Sequence, residues 1–227
     1  MPRPNKKFTL GSIIFLVHVL ISGASWAQKS GKLAPLDLNR KIGDYNDEGA
    51  DVFQLLSRAA DKLQTPLGVE INGHLPSQPA SIHISNGTLG DIFSAILQNA
   101  PDYKWVDADG VIDVLPRENA DSVLDLNISH FEIRNAPPED IRAAIVALPE
   151  VQVWLTQNRV TERSFLPPII SPRTKGESGG PRVSIDLSGL TLRQIMNRII
   201  SKKNSSLHVW SLTRYGASNE YLSIGIS

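Results

Sequence analysis

The chain has 227 residues, 41% of them hydrophobic, and its 23 basic residues balance 23 acidic ones. That length allows one or two ordinary domains, and the neutral charge leaves no field to draw in nucleic acid. With no cysteine, a disulfide framework, thiolate metal ligands and a lipid-bearing N-terminal cysteine are all excluded.

The N-terminus reads as a secretory signal peptide over residues 1–27. Arg3, Lys6 and Lys7 form a positive start, Ile13 to Ile21 form an apolar run, and Ser25 and Ala27 fit a small-residue cleavage site before Gln28. The apolar run is short for the roughly 20 residues a spanning helix needs, so no transmembrane segment is expected after cleavage. The remainder is formally acidic by three charges. An exported chain without disulfides suits a bacterial periplasm, or secretion.

Residues 28–48 are polar and read as a linker. From Asp51, Val52, Leu55, Leu56, Ala59, Ala60 and Leu63 recur at helical spacing, and Pro66 stops that helix. Leu67–Ile71 is a short strand and Asn72-Gly73 a turn. Ala80–Ser85 alternates as a half-buried strand. A second helix follows, with Thr88 as N-cap, Asp91 completing an approximate capping box, and Leu89, Ile92, Phe93, Ile96 and Leu97 as its apolar stripe. Tyr103–Val106, the turn Asp107–Gly110 and Val111–Leu115 read as a hairpin.

Sliding the chain against itself by 103 residues lays Ala80–Leu97 on Val183–Ile200 without a gap. Ser81, Ile82, Ser85, Thr88, Leu89, Ile92 and Ile96 meet identical residues, and Thr191 with Gln194 repeats the capping box. Leu207–Trp210 matches the Trp105 strand and Tyr221–Ile224 the strand around Ile112. The front half repeats more loosely: a strand at Leu124–Ile133, a helix opened by Pro137-Pro138, and a strand at Val151–Leu155. The second copy carries an insertion at 156–182, rich in Pro, Gly, Ser and Arg. The expected fold class is α+β: two small modules, 49–117 and 122–227, each a short mixed sheet of about four strands covered by two helices.

This order of elements, with Thr88-Leu89-Gly90-Asp91-Ile92-Phe93, Tyr103-Lys104-Trp105 and Val111-Ile112-Asp113-Val114, resembles the secretin and TonB short N-terminal domain. The resemblance covers 49–117 well and 122–227 less well. It implies a periplasmic, non-enzymatic domain that contacts protein partners. It does not carry over the channel or receptor role, because no barrel sequence follows the modules here. It implies no catalytic residues and no cofactor.

Gly176-Glu177-Ser178-Gly179-Gly180-Pro181 resembles a serine-protease nucleophile segment. A triad needs a His base and an Asp orienter on a rigid scaffold. None of His74, His83, His130 and His208 has the sequence setting of such a base, and no strand–turn–helix surrounds Ser178. A loop is the expected state. The histidines lack metal spacing, and Asp107, Asp109 and Gly110 fit a hairpin turn better than a calcium loop. Tyr103, Trp105, Trp154, Trp210 and Tyr221 fall on expected strands, where sheet packing is the ordinary role. Trp105, Trp210 and Tyr221 are the candidate interface. In the insertion, Arg159, Arg163, Arg173, Lys175 and Arg182 outnumber Glu162 and Glu177. They form a solvated loop or a basic arm for an acidic partner. The expected function is an exported protein-interaction module without catalysis, serving envelope assembly, transport or signalling, with its oligomeric state open. The alternatives are a secreted serine hydrolase using Ser178 and a cell-wall or small-ligand binding protein.

Overall fold

The computed structural model describes residues 34–118, 121–163, 180–202, 207–215 and 220–227. Among them the chain is a mixed α/β protein with five α-helices and ten strands. The first half runs β1 (Lys41–Ala50), α1 (Val52–Leu63), β2 (Leu67–Asn72), β3 (Ala80–Thr88), α2 (Leu89–Leu97), β4 (Tyr103–Ala108) and β5 (Val111–Pro116). After a 3₁₀ turn at Val123–Asp125 come β6 (Asn127–Ala136), α3 (Pro138–Val146), α4 (Pro149–Asn158), β7 (Val160–Glu162), β8 (Val183–Thr191), α5 (Leu192–Ile200), β9 (Val209–Tyr215) and β10 (Glu220–Ile226).

The strands form three sheets: antiparallel ribbons β1-β3 and β6-β8, and a six-stranded sheet ordered β4-β5-β2-β9-β10-β7. The expectation of one four-stranded sheet per module is corrected here. Helices α1 and α2 pack against both the β1-β3 ribbon and the large sheet. The large sheet draws strands from both halves, because β2 pairs in parallel with β9 from Leu67–Val209 to Asn72–Arg214.

Alternate residues of β2 and β5 serve different cores. Leu67, Val69, Ile112 and Val114 join the cluster built on α1 and α2, whereas Val111 joins the cluster built on α3, α4 and α5. Residues on the latter face of β2 and β5, Gly68, Glu70 and Asp113, meet Trp210 and α5 instead. The two helix layers therefore lie on opposite faces of one sheet. Consecutive residues Leu67–Glu70 of β2 and Val111–Val114 of β5 are accordingly all buried, including the polar Glu70 and Asp113.

The linker expected at 28–48 is corrected at its end. Lys41–Ala50 is strand β1, and Leu36 and Leu38 ahead of it pack on the first core. Its polar sequence hides a buried side: Tyr45 packs inward, and buried Asp47 accepts from Arg58 at 3.1 Å and Lys62 at 2.9 Å, both on α1. Burial pushes the Asp47 carboxyl up, but these two cations outweigh it and hold the pKa below the usual range. The strand expected at Val151–Leu155 is also corrected. It is part of α4, where Val151, Trp154 and Leu155 are buried at helical spacing behind Pro149 in the first turn. The expected insertion starts inside ordered elements, since Thr156–Asn158 end α4 and Val160–Glu162 are β7. Its stretch 164–179, with Ser178, Arg173, Lys175 and Glu177, lies outside the described residues.

Candidate functional site

Among the described residues, β4 is one end of the six-stranded sheet and its outer side pairs with no strand. Helix α2 flanks it. Its start is fixed by Thr88, whose side chain accepts from the Asp91 backbone, while the Asp91 carboxylate accepts from the Thr88 N–H at 2.8 Å. The Thr88 hydroxyl, donating to Asp91 Oδ2 at 2.7 Å, and then the Thr88 N–H hold the exposed Asp91 carboxyl below its usual pKa. Trp105 on β4 leans on α2: its indole Nε1 donates to Ser94 Oγ at 3.1 Å, and its ring passes 3.6 Å from where a Cβ on Gly90 would stand. Beside the half-buried Trp105 is a groove of about 360 Å³ between α2 and the strand edge, lined by Ser94, Leu97, Gln98, Tyr103, Lys104 and Arg117 among others. Burial raises the Tyr103 phenol above its usual pKa, partly offset by its bond to Asn72 O at 3.2 Å. On the opposite face of the strand Val106 is 39% exposed, an unusual surface position for a valine on a sheet edge. Further along β4 the Leu36 N–H donates to Asp107 Oδ2 at 3.0 Å.

The second half contains the same arrangement with the edge filled. Ala80–Thr88 and Val183–Thr191 are both nine-residue strands, and Leu89–Leu97 and Leu192–Ile200 are both nine-residue helices with capping boxes. Asn197 stands on α5 where Ser94 stands on α2, and Trp210 Nε1 donates to Asn197 Oδ1 at 2.6 Å. Trp210 is fully buried, because β2 pairs with β9 and places Gly68 opposite it. No side chain fits there. A Cβ at position 68 would fall on the Trp210 ring and on Asp113 Oδ1.

A polar clamp holds this junction. Asn197 Nδ2 donates to Asp113 Oδ2 at 3.1 Å, and Arg193 Nη2 reaches Glu70 at 2.5 Å and Asp125 at 3.6 Å. Burial pushes the Asp113 carboxyl up to about 7, against the Asn197 hydrogen bond and the nearby Arg193 charge. On α2 the position of Arg193 is Gly90, so the first half has no such clamp.

The three candidate interface residues do not form one patch. Trp105 stands at the free edge. Trp210 is spent on the internal junction, which corrects its assignment as a surface for an outside partner. Tyr221 lies on β10 near the other end of the sheet, 5.7 Å from the Tyr215 ring and under the Arg163 guanidinium at 3.6 Å. Arg163 is therefore engaged, and Arg182 Nη1 donates to Asn135 O at 2.9 Å. Arg159 is the left-handed C-cap of α4. Asp107 has both oxygens taken by backbone N–H groups, from Leu36 and Gly110, as a turn residue does. His83 faces Asn46 and Glu48, and His130 faces Ser188 and Asp186. No cluster of metal-ligating side chains occurs among the described residues.

Sequence reasoning missed Gly68, Asp113, Arg193 and Asn197. The signal was present in the 103-residue register: Gly90 against Arg193 and Ser94 against Asn197 are the helix positions where the second copy gains larger polar groups.

Comparison with known protein families, characterised proteins and solved structures finds no match to this chain. Among the described residues no helix is long and apolar enough to cross a membrane.

Proposed function

We propose that the chain is an exported, non-catalytic protein-interaction module of the bacterial envelope, a tandem pair of secretin/TonB-short-N-terminal-like modules that receives a partner on the free edge of β4. One observation carries this reading: among the described residues no strand pairs with the outer side of β4, whereas the corresponding α5–β9 edge is filled by the chain's own β2. An unpaired edge beside a groove is the geometry used for strand addition, where main-chain bonds give affinity and side-chain sites give specificity. The signal-like N-terminus and the lack of cysteine support a periplasmic or secreted setting.

A photoreactive amino acid in place of Val106 tests the reading in cells of the source organism. The same group in place of Val153, 54% exposed on α4, is the control. The expected outcome is a discrete protein adduct from position 106 and none from position 153. No adduct at 106, or the same adducts from both positions, removes the reading.

A further inference from the structure

The molecule contains a worked example of what its open edge can hold. At the filled edge, β2 runs parallel to β9, with Leu67 beside Val209, Gly68 beside Trp210 and Val69 beside Ser211. Gly68 faces α5 and lies against the indole, while its neighbours Leu67 and Val69 point to the other face and are buried there. The tryptophan is fixed by its helix through the indole N–H. It therefore stays in place and demands a small residue from the incoming strand.

The open edge repeats the demanding part. Trp105 is fixed by α2 through the same indole N–H, to Ser94. The flanking positions on the far face of β4 are Lys104 and Val106, and Val106 leaves apolar surface uncovered. The clamp is absent, since Gly90 replaces Arg193, so nothing at this edge calls for the acid that Glu70 supplies to the junction.

We infer that the segment received at this edge is an extended strand from a separate protein, parallel to β4, with an apolar–small–apolar sequence whose small residue (Gly, Ala or Ser) sits opposite Trp105. This rests on reading β4 as the partner-binding edge. The small residue lets the backbone approach under the indole, and the apolar residue beside Val106 covers it. The pairing centres on Trp105, because the Tyr103 N–H already donates to Ala100 O at 3.0 Å and the Asp107 side chain is held by the Leu36 N–H at 3.0 Å. A short pairing without a charge clamp makes a weak, exchangeable contact.

The probe is a synthetic peptide with the sequence of residues 65–72, Thr-Pro-Leu-Gly-Val-Glu-Ile-Asn, added to the purified protein. Amide hydrogen exchange is followed on β4 and β9. The expected result is slowed exchange at the Trp105 amide, which faces the free edge because Asp102 and, by alternation, Lys104 and Val106 bond to β5, with β9 unchanged. The peptide carrying Gly→Val should bind roughly tenfold or more weakly, from overpacking against the fixed indole. A protein variant, Val106→Lys, changes an exposed side chain and should lose the protection while keeping its fold. Absence of protection on β4, protection only on β9, or equal binding of the Gly and Val peptides overturns the inference. So does recovery of a second copy of this chain as the adduct at position 106. An adduct with another protein, together with a peptide that fails to bind, would leave the proposed function standing and remove only this partner class.

Discussion

Asp113 shows how one residue can be set against its own environment. It lies in the centre of a sheet buried on both faces, with no exposed surface, and its Oδ1 finds no hydrogen-bond partner among the described residues. Burial disfavours the carboxylate, and the raised pKa of about 7 follows. The native state therefore holds this proton between the ordinary carboxyl range and about pH 7, while the unfolded chain does not. Stability from this group is complete below about pH 4 and is lost as the pH rises through about 7. Each tenfold change in acidity is worth about 1.4 kcal/mol, so the loss is a few kcal/mol. Asp113→Asn keeps the shape and a polar contact for Asn197 but removes the titration. Its melting temperature relative to the parent should rise between about pH 5 and about pH 8. Parallel melting curves for the two proteins across that range would show that Asp113 does not set the pH dependence.

At the scale of elements, the two capping boxes do the same local work in different surroundings. Thr88 and Thr191 each satisfy an otherwise unpaired N–H at the start of a nine-residue helix. Thr88→Ala and Thr191→Ala should each cost about 1 kcal/mol, read as a lower urea midpoint, with serine at either position restoring most of it. A loss well below that would mean the helices are held by packing alone. These helices were legible because stripe and cap lie within a dozen residues. Elements whose cause is distant were not. Val151-Gln152-Val153-Trp154-Leu155 is rich in the β-branched and aromatic residues that strands favour, and only the fuller span from Pro149 shows that its buried residues sit at helical spacing. β1 looked like linker because Asp47 is buried and polar, and its partners Arg58 and Lys62 belong to another element. The pairing of β2 with β9 joins strands more than a hundred residues apart, and no local pattern encodes it. For the site, Trp105 and Trp210 were legible as aromatic strand residues. That one is half-open and the other sealed depends on this pairing alone.

At the scale of the whole molecule, that same pairing decides whether two cores behave as one body. β2 gives Leu67 and Val69 to the first core and lays Gly68 and Glu70 on elements of the second. Unfolding either core exposes an edge or a face that the other needs, so the parent should unfold in one cooperative transition. Gly68 is the point where this can be broken with the least change. Its Cα stands between Asp113 and Trp210 in neighbouring strands, and even a methyl group there meets both. The indole cannot move freely, because its N–H is bound to Asn197, which in turn is bound to Asp113. Overpacking of this kind costs roughly 1–3 kcal/mol, and the strain falls on the contact between halves rather than inside either core. In Gly68→Ala the urea midpoint should fall. With Trp26, Trp105 and Trp154 replaced by Phe so that the fluorescence comes from Trp210 at the junction, the transition it follows should also begin before the one followed by far-ultraviolet circular dichroism. A variant whose two transitions still coincide and whose midpoint is unchanged would mean that β2 and β9 separate and re-form without consequence, and that the halves are not coupled through this strand.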